Sequence, residues 1–228
     1  HIRIVRPLVD GVISDYEVTE EMLSYLINKA NDTVRKLLRP RVVIGIPVGI
    51  TNVEMRAVYD AAKSAGAREV YIVEEPMAAA IGVHMPVHDP VGSMMVDIGG
   101  GTTDIAVIAL SGVVRAKSIK IAGDKLTQDI ISYMRDEFKM LVGEKTAEHI
   151  KVNIGSALPD ENGEELSIKG RDLVTGLPRE AVITDVDIRE AMYGSISQLV
   201  DAVREVLETT PPEVLADIMH KGMTLSGG

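Results

Sequence analysis

The stretch from Met94 to Val107 constrains this chain more than any other. An apolar run ends in Asp97, then come Gly99, Gly100, Gly101, Thr102 and Thr103, and Asp104 opens a second apolar run. Glycine lacks a Cβ, so the backbone can turn sharply there and its N–H groups can approach a ligand closely. Successive N–H groups in such a turn form a concave nest that attracts anions, phosphate above all. Asp97 is placed to hold a cation beside those phosphates, through water as Mg²⁺ prefers. The flanking runs are short and rich in Val and Ile, which predicts strand–turn–strand. Neither common phosphate loop is present: there is no G-x-x-x-x-G-K-[ST] and no G-x-G-x-x-G opening a helix. A plain glycine hairpin is the competing reading, but a hairpin needs no paired acid.

Composition narrows the partners. Aromatics are 3% of the chain, with one Phe and no Trp, so a core must be aliphatic and filled by Met. Asp plus Glu outnumber Lys plus Arg by 34 to 24. A net charge of −10 repels nucleic acid, and no basic stripe interleaved with aromatics is present, so no nucleic-acid partner is expected. Without cysteine there is neither a disulfide framework nor thiolate chemistry. No apolar run approaches the ~18 residues of a membrane span, and no signal peptide is visible. The chain starts at His1 in a strand-like run and stops on a glycine turn at Gly228, which reads as a piece cut at both ends.

Taken in order, residues 1–18 alternate β-like runs with turns such as Asp10-Gly11. Thr19 is expected to cap a helix with the apolar face Met22, Leu23, Leu26, Ile27, Ala30 and Val34. Residues 42–46 read as a buried strand. Thr51 to Glu54 is a capping box opening a helix that stops at Gly66. Residues 69–73 form another strand, and Pro76 sits at the first position of a short alanine-rich helix. This βαβα order implies a partly parallel sheet. A break rich in Pro and Gly follows at 86–92. Residues 104–110 and 113–121 are expected to pair through Ser111-Gly112. Gly123-Asp124 and Thr146 read as starts of two more helices. Residues 159–187 look like a small inserted subdomain with short strands. A helix is predicted over 188–207, with a bend at Gly194, and another from Pro211-Pro212 to Gly222.

Several residues carry potential chemistry. Glu75 lies where a strand meets a helix N-terminus. Beside the glycine nest it could orient a water for attack on a γ-phosphate; alone it is as well explained as a capping acid. Gly123, Asp124, Gly227 and Gly228 form further glycine turns, each a plain cap or turn unless the fold gathers them. Glu148 and Lys151, three apart on one helix face, could grip a ribose and an adenine or be a surface pair. The histidines make no metal site, since Pro86 breaks the His84–His88 spacing. Arg35 to Arg41 holds four basic residues around Leu37 and Leu38. Two readings stand level: leucines projecting from a loop onto an anionic membrane, or leucines closing the helix's core face.

Together these motifs resemble the actin-like ATPase superfamily and, within it, the MreB family of bacterial cell-shape proteins. The resemblance rests on Arg6-Pro7, Asp10 to Ile13, Gly45 to Gly49, Ile72 to Gly82, Val96 to Asp104, Ile121 to Asp124, Thr146 to Glu148, Ile154 to Ala157, Gly176 to Pro178, Thr210 to Glu213 and Leu225 to Gly228. It implies an α/β actin-like ATPase fold: two lobes with mixed sheets flanked by helices, plus a small inserted α+β subdomain. The expected division is 1–18, a remnant of the first lobe's small subdomain; 19–90, part of the first large lobe; 91–125 with 190–228, the second large lobe; and 126–189, its small subdomain. The resemblance further implies ATP with Mg²⁺ in the cleft and a weak ATPase coupled to filament assembly. Glu75 would position water. Asp97 would contact Mg²⁺ through water, and Gly99, Gly100, Gly101 and Thr102 would cradle phosphates. Gly123, Asp124, Glu148, Lys151, Gly227 and Gly228 would surround the nucleoside.

Leu37 and Leu38 fall at the family's membrane-insertion loop, which favours the membrane reading. Implied partners are further copies in antiparallel double protofilaments, the anionic inner membrane and the cell-wall elongation machinery. The implied place is the cytoplasmic face of that membrane. The family's first phosphate turn, Asp-x-Gly-Thr, is absent from these residues, and Asp104 stands where relatives often have Glu. A chaperone-type ATPase of the same superfamily is the alternative; it calls for a peptide-binding domain, and none is visible. A sugar kinase would need a catalytic acid facing a sugar pocket, and none can be named.

Overall fold

The structure, a computed structural model, describes residues 5–9, 11–30, 39–159 and 163–228. Val34, Leu37, Leu38 and Asp10 lie outside the described residues.

The chain opens with a two-stranded hairpin, β1 (Leu8–Val9) and β2 (Val12–Ile13), turning at Gly11 with φ 76°. Helix α1 (Tyr16–Ala30) follows. Its cap is Asp15, whose Oδ1 accepts the Val18 N–H at 3.1 Å, and not Thr19 as expected. Thr19 is buried inside the helix because its hydroxyl lies 2.6 Å from the Asp15 carbonyl and 3.3 Å from that of Pro7. The parallel pair β3 (Arg41–Ile46) and β4 (Glu69–Glu74) encloses α2 (Asn52–Ser64). The capping box at Thr51 and Glu54 is formed. Strand β3 is not the fully buried strand its apolar run suggested: its side chains alternate, and Val43 is 67% exposed. Helix α3 (Glu75–Gly82) starts directly from β4 with Pro76 in its first turn.

A four-stranded sheet dominates the second half, ordered β11-β5-β6-β7. It comprises β5 (Ser93–Ile98), β6 (Thr103–Ala109), β7 (Gly112–Ile119) and β11 (Met223–Gly227). β5–β6–β7 are antiparallel neighbours, and β11 runs parallel to β5. The β6–β7 turn falls on Leu110-Ser111, with φ of 51° and 60°, one residue earlier than expected. Both are held there by the preceding loop: the Leu110 N–H reaches the Asp89 carbonyl at 2.8 Å, the Ser111 N–H the Val87 carbonyl at 2.6 Å, and the Ser111 hydroxyl lies 2.6 Å from His88 Nδ1.

Helices cover both faces of this sheet. Met94, Val96, Ile105 and Val107 pack with Ala202, Val206 and Ile218 on one side. Met95, Ala106 and Ile108 pack with Ala80 of α3 and Val87 on the other. Burial on both faces is why β5 and β6 read as unbroken apolar runs. A third core joins α4 (Gly123–Asp136), α5 (Glu144–Ile154) and α6 (Asp185–Glu208) to the antiparallel strands β8 (Met140–Leu141), β9 (Glu165–Asp172) and β10 (Pro178–Thr184). Helix α5 starts after Gly143 and not at Thr146, which lies within its first turn. Helix α6 starts at a second capping box, Thr184 with Asp187, and passes through Gly194 without interruption. Helix α7 (Pro212–Lys221) ends at Gly222.

Candidate functional site

The glycine turn joins β5 to β6, and the Gly99 N–H closes it onto the Thr102 carbonyl at 2.9 Å. Its carbonyls hold the start of α4: Gly99 O accepts the Gly123 N–H at 3.0 Å, and Gly100 O accepts the Asp124 N–H at 2.8 Å. Among the described residues the N–H groups of Gly100 and Gly101 have no protein acceptor. Unpaired donors beside a helix N-terminus suit an anion. The glycines of the region with positive φ are Gly11, Gly227 and Gly228, not Gly99 or Gly100. A Cβ on Gly227 would sit 1.9 Å from the Ile98 carbonyl oxygen, so β11 reaches the turn only because that residue is glycine. Gly228 donates to the same oxygen at 3.3 Å.

Beside the turn lies a cavity of about 410 Å³ lined by Arg6, Gly11, Gly101, Lys120, Asp124 and Lys125. The Arg6 guanidinium reaches Asp124 at 3.7 Å and pairs with Glu144 of α5. Arg6, Lys120 and Lys125 bring basic groups to this recess, with Arg6 and Lys125 balanced by Asp124, Glu144 and Asp129, and Gly101 brings an open N–H.

Glu148 and Lys151 are tied to the first turn of α4. Lys151 Nζ contacts Glu148 Oε2 at 2.7 Å, the Gly123 carbonyl at 3.0 Å and Thr127 Oγ1 at 3.1 Å. Thr127 Oγ1 also lies 2.7 Å from Glu148 Oε2. The ammonium and the Thr127 hydroxyl, in that order of weight, hold the Glu148 carboxyl below the usual carboxylate range. Thr127 was not singled out from the sequence; its role depends on packing between two helices 21 residues apart. Lys151 also edges an apolar groove of about 560 Å³ lined by Ile98, Leu126, Gly155, Met223 and Leu225.

At the end of the sheet facing α3, three carboxylates share one environment. Glu75 heads α3 and packs against Gly45, whose added Cβ would lie 3.1 Å from Glu75 Cγ. Burial raises the proton affinity of Glu75, and the charges of Asp104 and then Asp97 add to it. Asp104 is 1% exposed, and burial raises it too, against hydrogen bonds from the Val48 N–H and the hydroxyls of Ser118 and Thr102. The Val48 bond is 2.9 Å long and joins the exit of β3 to β6. The Thr102 hydroxyl is thus used inside the protein, so this residue offers a ligand its backbone. Asp97 is half-buried, and its Oδ1 accepts from Ser226 at 2.6 Å. Among the described residues no three His, Cys, Asp or Glu side chains are arranged to hold a metal directly. A single half-buried carboxylate, Asp97, beside open N–H groups is a donor set that would suit a hydrated cation better than a directly bound one.

The structure therefore brings Gly99, Gly100, Gly101, Thr102, Gly123, Asp124, Glu148, Lys151, Gly227 and Gly228 around one turn and one helix start. It places Glu75 beside Gly45, within the field of Asp104 and, more weakly, of Asp97. Leu37 and Leu38 are not among the described residues.

A family profile described as MreB/Mbl protein matches residues 1–228. The chain belongs to the MreB/Mbl family. Relatives include the cell shape-determining protein Mbl of Bacillus subtilis, 48% identical over all of this chain and 68% of that protein. The cell shape-determining protein MreB of Escherichia coli is 47% identical over all of this chain and 66% of that protein. This MreB/Mbl chain thus spans about two thirds of their length. Crystal structures of MreB5 of Spiroplasma citri bound to ADP and to AMPPNP superpose with TM-scores of 0.93 and 0.92 at 41% and 40% identity, each over 99% of this chain and 68% of theirs. The MamK double helical filament, at 22% identity and a TM-score of 0.81 over 97% of this chain and 67% of that one, shares the actin-like fold.

Proposed function

We propose that this chain forms the greater part of an ATP-binding, filament-forming actin homologue. It lies on the inner face of the cell membrane and helps position elongation-phase cell-wall synthesis, keeping the cell rod-shaped. One observation carries the nucleotide reading: the unpaired Gly100 and Gly101 N–H groups, the α4 N-terminus and the Glu75–Asp97 carboxylates converge on one turn. The names of the relatives, and the ADP and AMPPNP bound to the MreB5 structures, support it.

In this reading the glycine N–H groups hold phosphate oxygens. Asp97 would hold a hydrated Mg²⁺ on the phosphates, and that ion would supply neutralisation of their charge. Glu75 orients the attacking water, which adds to the γ-phosphorus as the bond to the β-phosphate oxygen breaks. Raised proton affinity suits Glu75 to accept a proton from that water. The edge of the apolar groove at Lys151 receives the base. Residues 1–90 contribute to the first lobe, 91–125 with 190–228 to the second, and 126–189 to its small subdomain.

Leu37 and Leu38 insert among lipid headgroups, flanked by Arg35, Lys36, Arg39 and Arg41. No helix among the described residues is long and apolar enough to cross a membrane. The test is sedimentation of the full-length protein with anionic liposomes, with and without ATP. Co-sedimentation of filaments that needs ATP, and falls when both leucines become serine, is expected. Sedimentation indifferent to ATP would overturn the nucleotide-linked assembly, and indifference to the leucine change would overturn the membrane contact.

A further inference from the structure

Strand register sets four polar residues side by side across the whole sheet. Ser226 of β11 pairs with Asp97 of β5, Asp97 with Asp104 of β6, and Asp104 with Ser118 of β7. Paired residues of neighbouring strands project to one face, and this is the face of Met95 and Ala106, covered by α3. Like charges directly opposite each other on adjacent strands are destabilising. Here each carboxylate has its own hydroxyl on its outer side. Asp104 is satisfied by Ser118, Thr102 and the Val48 N–H, and is buried. Asp97 has a single hydrogen bond among the described residues, the 2.6 Å contact from Ser226.

We propose that Ser226 is a positioning residue for Asp97, engaging Oδ1 so that Oδ2 is held ready for the hydrated cation on a nucleotide's phosphates. The inference rests on the nucleotide reading and deepens it. The next residue, Gly227, pairs closely with Ile98, so the strand register sets the Ser226 hydroxyl beside Asp97. The backbone pairing of Ser226 with Asp97 needs no side chain, so removing the hydroxyl leaves the strand in place. Outer partners of metal-binding groups typically change metal affinity by 10–100-fold, and a water-mediated contact belongs at the low end.

The experiment is a fluorescence titration of the purified full-length protein with a labelled ATP analogue, first in EDTA and then with increasing Mg²⁺. It compares wild type, Ser226→Ala and Ser226→Thr. Expected for Ser226→Ala is about a tenfold higher Mg²⁺ concentration at half-effect, with affinity in EDTA within about twofold of wild type. Ser226→Thr keeps a hydroxyl and should restore the wild-type Mg²⁺ response. An unchanged Mg²⁺ midpoint in Ser226→Ala would overturn the proposal. So would equal weakening in EDTA, or a Thr variant no better than Ala. Wild type failing to bind in Mg²⁺ would overturn the nucleotide reading itself and this inference with it, and only that arm reports the former.

Discussion

Replacing Asp104 by asparagine and by alanine separates its two jobs, accepting hydrogen bonds and carrying charge. Its carboxylate takes the Val48 N–H at 2.9 Å and the hydroxyls of Ser118 and Thr102 while 1% exposed. A hydrogen bond to a charged group contributes about 1.5–3 kcal/mol net, and a buried donor left without a partner costs about 1–3 kcal/mol. Alanine strands the Val48 N–H, while the hydroxyls can turn elsewhere. Removing a charge that burial disfavours offsets part of the loss, so Asp104→Ala should lose about 2–4 kcal/mol. Asparagine keeps an oxygen for Val48 and relieves the charge, so Asp104→Asn should lie within about 1 kcal/mol of wild type.

The pH dependence carries the sharper test. Burial holds the proton on folded Asp104 above its unfolded value, so between the two the folded state binds more protons. Stability from this group is therefore full below the unfolded value, about 3.9, and falls as pH rises through the folded value. Glu54, Glu69, Glu148 and Asp172 are shifted down by their hydrogen bonds and act in the opposite sense. Subtracting the wild-type urea-unfolding profile from that of Asp104→Asn removes their contribution. The difference should rise in favour of the variant from about pH 4 toward neutrality. A flat difference, or an asparagine variant as damaged as the alanine one, would refute the account of a buried, charge-penalised acceptor.

Glu75→Gln should lower phosphate release by about 100-fold or more while nucleotide affinity stays within about threefold, since one positioned group typically contributes 10²–10⁴; an equal loss of binding would remove Glu75 from the water-orienting role. Gly227→Ala forces a Cβ to 1.9 Å from the Ile98 oxygen at φ 104° and should cost about 2–4 kcal/mol in urea unfolding; wild-type stability would contradict that close approach. Thr184→Ala removes the cap of α6 and should cost about 0.5–2 kcal/mol, with nucleotide affinity unchanged. An affinity loss would show that the start of α6 is coupled to the Glu148–Lys151 side of the site.

What the sequence made legible was local. The capping box at Thr51, Pro76 at a helix start, the parallel β3–β4 unit and the glycine turn between two apolar strands each depend on a few neighbouring residues. Where several polar residues offered a cap, distant contacts decided: Thr19 was drawn inward by the Pro7 carbonyl and left Asp15 to cap α1. The β6–β7 turn went against propensity, because bonds from Leu110 and Ser111 to residues 87–89 hold two non-glycine residues in the left-handed region. An apolar run could not by itself report whether one face of β3 or both would be covered.

The polar row marks the limit of such reading. The glycine turn already sets Asp97 opposite Asp104, because an antiparallel hairpin closed by Gly99 and Thr102 pairs 98 with 103 and 97 with 104. What each carboxylate does is decided by residues that no spacing rule connects to them. Val48 arrives 56 residues upstream of Asp104 and Ser226 arrives 129 residues after Asp97. Two adjacent aspartates with identical partners would share one chemistry and repel. With Asp104 buried against the exit of β3 and Asp97 held by a single hydroxyl, one fastens two sheets together and the other keeps an oxygen without a partner among the described residues. That asymmetry, and not the number of acids, sets the field that Glu75 meets: burial and two neighbouring charges together raise its proton affinity.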